Sequence, residues 1–252
     1  MKQRKRFQKE RLRRGIYVLP NLFTSFNLFC GFYAVIASID GKYVAAAAAI
    51  LIAVVFDMLD GKIARATRTT SKFGLEYDSL ADLISFGLAP GVMMYLWALK
   101  PMGRIGWLAA FLFLACGALR LARFNTQANS TSSDYFLGLP IPAGAGMNAT
   151  TVLLYNKMGL EGAPHPILIL MMIYILSFLM VSTIKYNSFK KPEWFRKMNF
   201  NVLVAAILIL MFIAAQPSVA LFLMGIAYVV SGLFTTMKYN KMMEEQKAET
   251  TP

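Results

Sequence analysis

Histidine and cysteine are almost absent from this chain. Its 252 residues include one histidine and two cysteines. Cys30 and Cys116 both fall within long apolar stretches, where we interpret them as packed thiols rather than as a disulfide or a metal-binding pair. Neither a disulfide framework nor a zinc site is therefore expected.

Charged residues are also scarce, at 15% of the chain, whereas 57% of the residues are hydrophobic. This composition argues against a single soluble domain, because such a domain would expose large apolar patches. Apolar stretches long enough to cross a membrane, without strand-like alternation, fall near 17–39, 43–60, 77–99, 105–124, 138–158, 165–184, 199–215 and 217–237. We therefore predict an all-α polytopic membrane bundle with about eight transmembrane helices.

Acidic residues are few: 13 Asp and Glu stand against 26 Lys and Arg. If the basic segment 1–16 is cytoplasmic, the predicted spans place every basic residue on that side except Lys42, Lys100, Arg104 and Lys157. The positive net charge is then explained by the membrane topology, so no nucleic-acid partner is expected. Segment 1–16 is predicted to lie on anionic cytoplasmic lipid, with 238–252 as a cytoplasmic tail.

Four of the few acidic residues are concentrated in "DMLDGKIARATRTTSKFGLEYDSLAD", residues 57–82. Asp57 and Asp60 are predicted to close the second helix, and Asp78 and Asp82 to open the third after a connection of about fifteen residues. Each pair shares a helix face, so four carboxylates would converge at the membrane surface, where they require cations. Oxygen ligands suit Mg²⁺, Mn²⁺ or Ca²⁺.

The residues between these aspartates suit a phosphate ligand. Gly61, Ala64 and Gly74 are small enough for a ligand to approach the backbone, and Lys62 and Arg65 are cationic. This combination indicates a site that holds a diphosphate and transfers a phosphoryl centre. Two alternatives remain open. The aspartates could cap the helices, with Gly61 ending the second helix, or they could form a proton relay in a transporter.

The whole pattern, Asp57-x₂-Asp60-Gly61-x₂-Ala64-Arg65-x₈-Gly74-x₃-Asp78-x₃-Asp82, resembles the signature of the CDP-alcohol phosphotransferases. The resemblance implies a membrane enzyme, usually a homodimer, with a six-helix catalytic core, here residues 17–184, and two divalent cations. It implies metal ligation by the first three aspartates. Asp82 would be the general base and also a metal ligand. Gly61, Ala64, Arg65 and Gly74 would line the CDP-binding site.

Three further stretches resemble the membrane-embedded bacterial phosphatidylserine synthases of that family: "LPNLFTSFNLFCGF" (19–32), "ALRLARFN" (118–125) and "GLPIPAGAG" (138–146). This resemblance implies transfer of the phosphatidyl group from CDP-diacylglycerol to the hydroxyl of L-serine, with release of CMP. It also implies a bacterial cytoplasmic membrane with the active site on the cytoplasmic side. The phospholipase D-related type needs H-x-K motifs, which the single histidine, His165, excludes.

Polar residues in two of these stretches are further candidate ligands. Thr24 and Asn27 are predicted on the CDP side, although helix-to-helix hydrogen bonds would explain them equally well. Arg120 and Arg123 share a helix face and would bind the serine carboxylate or a lipid phosphate, with Asn125 nearby; ordinary positive-inside anchoring is the alternative.

Two other functions remain open on the sequence alone. A sister enzyme would use glycerol 3-phosphate, inositol phosphate or choline as the acceptor, and an ion-coupled transporter is a remoter alternative. Residues 185–237 are predicted to add a further helix pair, to which no role is assigned.

Overall fold

The computed structural model describes residues 2–67, 71–127, 135–160, 165–187 and 200–250. Within them the chain is almost entirely helical, which confirms the all-α membrane class. A short antiparallel ribbon pairs β1 (Tyr135–Leu137) with β2 (Lys185–Asn187). The helices are α1 (Lys2–Ile39), α2 (Tyr43–Thr67), α3 (Lys72–Met102), α4 (Arg104–Gln127), α5 (Ile141–Lys157), α6 (Pro166–Val181), α7 (Phe200–Ala215) and α8 (Pro217–Thr250).

Several of these helices can cross a membrane. Among the described residues, five apolar segments are long enough: Leu19–Ile39, Tyr43–Thr67, Lys72–Met102, Arg104–Thr126 and Pro217–Met237. The helices α5, α6 and α7 have 17, 16 and 16 residues, fewer than the roughly 20 that usually span the hydrocarbon layer. The chain is thus a multi-pass membrane protein, and the count of eight spans stays a prediction.

The outer surface of the bundle is apolar. Phe29, Ile167 and Phe234 have exposed fractions of 64%, 68% and 68%. Water would penalise so many exposed large side chains, whereas lipid tails accept them, so this surface faces the bilayer.

The connection between α2 and α3 differs from the prediction. We expected about fifteen residues after Asp60, but α2 continues through Gly61 to Thr67 and α3 begins at Lys72. Ala64, Arg65 and their neighbours are good helix formers, which outweighs the roughly 1 kcal/mol that a helical glycine costs. Ser71 caps α3 by accepting a hydrogen bond from the Gly74 N–H at 2.9 Å.

Helix α1 is held closely against both α2 and α3. Buried alanines on α1 and α2, including Ala34, Ala46 and Ala53, let the two backbones approach. On the α3 side, Gly31 lies so close to Ser85 that a Cβ at Gly31 would collide with its backbone and side chain. The Ser85 hydroxyl also donates to the Asn27 carbonyl at 2.9 Å.

Helix α3 contains two π-helical turns, Leu83–Leu88 and Tyr95–Leu99. The first begins directly after Asp82. A π turn widens the helix locally and is frequent at functional sites, so it marks Asp82 as a position of interest.

The ribbon attaches α8 to the rest of the bundle. The Lys185 N–H donates to Thr236 Oγ1 at 2.8 Å, and the Tyr186 hydroxyl donates to the Val229 carbonyl at 3.3 Å. Gly232 provides the space for the Tyr186 ring, because a Cβ there would overlap the ring. Part of the predicted tail, through Thr250, continues α8 as helix.

Candidate active site

Three aspartates converge at the end of the bundle where α2 and α3 connect. Asp57, Asp60 and Asp78 each offer a carboxylate oxygen, and these oxygens lie within 4.8 Å of one another. Asp60 is buried, and Asp78 Oδ1 is a buried atom without a hydrogen-bond partner among the described residues. Like charges this close need a cation, and an all-oxygen donor set fits Mg²⁺ or Mn²⁺. The residues therefore fit a divalent metal ion.

Asp82 lies beside this triad. Its exposed fraction is 7%, and it lies four residues after Asp78 on α3. Its Oδ1 accepts a hydrogen bond from Asn27 Nδ2 at 3.0 Å. Asp82 is outside the three-residue cluster, so its ligation of a metal and its role as base stay predictions.

Helix α1 also orients one member of the triad. The Thr24 hydroxyl donates to Asp60 Oδ2 at 3.0 Å and lies 3.2 Å from the Pro20 carbonyl. Hydrogen bonds of this kind fix the direction of a ligating carboxylate. Thr24 is buried, so the bond is protected from water.

A cavity of about 480 Å³ lies beside the aspartates and is called the first cavity below. It is lined by most of the residues predicted to bind CDP. Its lining includes Thr24, Gly61, Ala64, Arg65 and Gly74, together with Asp60 and Asp78. Its size suits a nucleotide-sized ligand. Asn27 is not part of this lining, and its contact is with Asp82 instead.

The second cavity, of about 630 Å³, shares a wall with the first. All four aspartates line it, and Asp60, Gly61, Arg65 and Asp78 line both cavities. Its lining also includes Arg120, Asn125 and Tyr228. The acidic cluster thus stands where two ligand-sized spaces meet.

Arg120 and Asn125, which line this cavity, carry buried polar atoms without a hydrogen-bond partner among the described residues. Arg120 has an exposed fraction of 9%, and its buried Nε has no hydrogen-bond partner among the described residues. Asn125 Nδ2 donates to the Ser79 hydroxyl at 3.0 Å, but its buried Oδ1 likewise lacks a partner in the described chain. Unsatisfied buried groups are costly, so this donor and this acceptor indicate a polar ligand.

Arg123 has a different environment from Arg120. Its guanidinium donates to three backbone carbonyls, those of Leu137, Val181 and Ser182, at 2.9–3.2 Å. It is absent from the linings of both cavities. Arg123 therefore ties α4 to the ribbon and the end of α6, and its predicted contact with serine or lipid phosphate stays untested.

Several lining residues were not predicted from the sequence. Asn21, Ser71 and Lys72 line the first cavity, and Tyr228 lines the second. Lys72 directly follows the Ser71 cap, a position that a search for helix N-termini would have identified. Tyr228 gives no such signal, because a tyrosine in an apolar helix is ordinary.

Comparison with known proteins agrees with this geometry. The sequence profile described as CDP-alcohol phosphatidyltransferase matches residues 17–181. The chain belongs to this family. The matched region ends with α6, and it contains the acidic cluster, Arg120 and Asn125.

Individual relatives narrow the comparison. The CDP-diacylglycerol–serine O-phosphatidyltransferase of Helicobacter pylori (strain ATCC 700392 / 26695) is 41% identical over 219 residues, which cover 86% of this chain and 90% of the relative. The enzyme of the same name from Bacillus subtilis (strain 168) is 35% identical over 173 residues, 69% of this chain and 92% of the relative. The archaetidylserine synthase of Methanothermobacter thermautotrophicus is 36% identical over 170 residues, 67% of this chain and 69% of the relative.

Proposed function

We propose that this protein transfers the phosphatidyl group of CDP-diacylglycerol to the hydroxyl of L-serine and releases CMP. The observation that carries the proposal is the second cavity, whose lining includes Arg120 and Asn125 together with the four aspartates. A free amino acid matches this lining, because its carboxylate accepts from Arg120 and its ammonium donates to Asn125. The names of the relatives support the same acceptor.

The donor substrate suits the first cavity. Gly61, Ala64 and Gly74 leave room for the nucleotide beside the helices, while Arg65 and Lys72 offer positive charge to the diphosphate. The acyl chains would remain among the lipids around the apolar outer surface. We place the donor in the inner leaflet of a bacterial cytoplasmic membrane, because the basic residues favour that orientation and serine and CMP are soluble there.

Asp57, Asp60 and Asp78 would hold the divalent cations, Mg²⁺ or Mn²⁺, that the family generally uses. Bound there, the cations would polarise the phosphate and balance the charge that develops on CMP. The hydrogen bond from Thr24 keeps the Asp60 carboxylate turned toward this position. Two cations, as the resemblance implies, would match the charge of the four aspartates.

Asp82 would act as the general base. It lines the second cavity, so a serine bound at Arg120 and Asn125 can present its hydroxyl to the Asp82 carboxylate. The hydroxyl proton would pass to Asp82 as the serine oxygen bonds to the phosphorus attached to diacylglycerol. The bond between that phosphorus and the oxygen of CMP breaks in the same transfer.

The test is CMP release from CDP-diacylglycerol by the purified protein with Mg²⁺ or Mn²⁺. Serine, glycerol 3-phosphate, inositol phosphate and choline are compared as acceptors, with Asp82→Asn as the control. We expect release that depends on serine and is lost in the variant. Release with another acceptor would contradict the assignment of serine as the substrate. Absence of release with every acceptor would contradict the assignment of the reaction. We also expect a homodimer, which the mass of the purified protein in detergent tests.

A further inference from the structure

Tyr228 is the one described residue from α8 in the lining of the second cavity, which also includes the four aspartates. It lies beyond residues 17–181, the region that matches the family profile. Helix α8 is therefore an addition to the catalytic core that nevertheless reaches the site. Its contribution is the amphipathic side chain of Tyr228, in a lining that also includes Arg120.

The position of Tyr228 is fixed by its neighbours. Its ring packs against that of Tyr186, with centroids 5.6 Å apart and planes inclined by 35°. Tyr186 is fully buried and donates to the carbonyl of Val229, the residue next to Tyr228. The close approach at Gly232 holds the same ring one turn further along α8. A side chain packed in this way is pre-organised for a ligand.

We propose that Tyr228 recognises the carboxylate of the acceptor together with Arg120. This inference rests on the proposed function. Arg120 supplies the Nε–H donor and the positive charge, and the Tyr228 hydroxyl supplies a second donor from the neighbouring helix. Paired donors suit the two oxygens of a carboxylate. Helix α8 thereby contributes to the selection of an amino acid over acceptors that have a hydroxyl but no carboxylate.

The same donors would also suit a lipid phosphate, so the test separates the two anions. In Tyr228→Phe the ring still packs on Tyr186, but the hydroxyl is gone. Loss of a hydrogen bond to a charged group corresponds to an increase of about 10- to 100-fold in KM for L-serine. KM for CDP-diacylglycerol is expected to stay within about twofold. Tyr43→Phe is the matched control, because that hydroxyl donates to the Leu96 carbonyl and lines neither cavity.

A binding readout complements the kinetics. L-alanine has the carboxylate and ammonium of serine but no hydroxyl, so it should compete with serine without reacting. We expect it to inhibit the unmodified protein and the Tyr43→Phe protein equally, and Tyr228→Phe at least about 10-fold less well. Ethanolamine, which lacks the carboxylate, should compete poorly with serine in the unmodified protein.

Three results would overturn the inference while leaving the proposed function in place: an unchanged KM for serine in Tyr228→Phe, an increase confined to KM for CDP-diacylglycerol, or equal inhibition by ethanolamine and L-alanine. If Tyr228→Phe does not fold, equal inhibition of the unmodified protein by ethanolamine and L-alanine would still overturn the inference. Failure of the proposed function looks different, because the unmodified protein would then show no serine-dependent CMP release.

Discussion

Asn27 donates a hydrogen bond from Nδ2 to Asp82 Oδ1 at 3.0 Å, joining α1 to the start of the first π-helical turn of α3. Both side chains are buried, and the Asn27 carbonyl accepts from the Ser85 hydroxyl three residues beyond Asp82. The Asp82 carboxylate is therefore oriented by a neighbouring helix. The observed contact of Asn27, which the sequence suggested for the nucleotide, is thus with the proposed base.

Replacement of Asn27 by Leu should impair the chemical step. The variant keeps a similar volume but leaves the buried Asp82 carboxylate without its donor, so we expect kcat to fall about 10- to 100-fold with little change in KM for serine. Ser38→Ala is the control, because the Ser38 hydroxyl is buried in the same helix and donates only to the Ala34 carbonyl. An unchanged kcat in Asn27→Leu would contradict the orienting role.

The metal assignment predicts a clear effect of Asp78→Asn. Mutation of a residue that hydrogen-bonds to a metal ligand typically lowers metal affinity or activity about 10- to 100-fold. Loss of a direct ligand should therefore lower divalent-dependent turnover by about 100-fold or more. The variant should remain folded, and its Tm in the presence of EDTA should not fall, since one of several crowded like charges has been removed.

Asp40→Asn is the matched control for this experiment. Asp40 is exposed and forms an ion pair with Lys42 at 3.2 Å, in the short connection between α1 and α2. An exposed ion pair contributes little to stability, so this variant should remain folded and keep its activity. Near-normal turnover by Asp78→Asn would rule out the metal assignment.

The contacts of Arg123 predict a loss of stability in Arg123→Gln. The guanidinium satisfies three backbone carbonyls, and its removal should lower the free energy of unfolding by about 1.5–3 kcal/mol, measured as a lower Tm in detergent. An unchanged Tm combined with a raised KM for serine would instead support the ligand-binding role that the sequence suggested.

The close approach of α1 and α3 predicts a contrast between two glycines. Gly31→Ala would force a Cβ into Ser85, so we expect a loss of about 1–3 kcal/mol in stability and a reduced kcat as Asn27 shifts from Asp82. Gly146→Ala is the control, because a Cβ at Gly146 meets no atom within 4 Å and alanine favours the helix. Equal stability of the two variants would contradict the packing described for Gly31.

The aspartates show how far the sequence could be interpreted. Helical periodicity placed Asp57 with Asp60 and Asp78 with Asp82 on shared faces, and the antiparallel arrangement of α2 and α3 follows from a short connection. The structure brings Asp57, Asp60 and Asp78 into one cluster, as the motif predicted. The predicted length of the connection was wrong, because Lys62 and Arg65, whose charge is typical of a loop, are good helix formers and continue α2.

Other features could not be predicted from local pattern. Arg120 and Arg123 lie on one face of the same predicted helix, and the sequence does not distinguish them. In the structure Arg120 lines a cavity, whereas Arg123 binds backbone carbonyls. That difference depends on where the ribbon and the end of α6 lie, which is a property of the tertiary structure. The contribution of Tyr228 was hidden for the same reason, since it depends on how α8 docks against Tyr186.

The most direct test follows the oxygen of serine. L-serine labelled with ¹⁸O in its hydroxyl is incubated with CDP-diacylglycerol, Mg²⁺ and the purified protein, and the products are analysed by mass spectrometry. Attack by the serine hydroxyl on the phosphorus predicts phosphatidylserine that retains the label, unlabelled CMP in equal amount, and neither product with Asp82→Asn. Formation of phosphatidic acid with CMP, or of a phosphatidylserine without the label, would contradict the account.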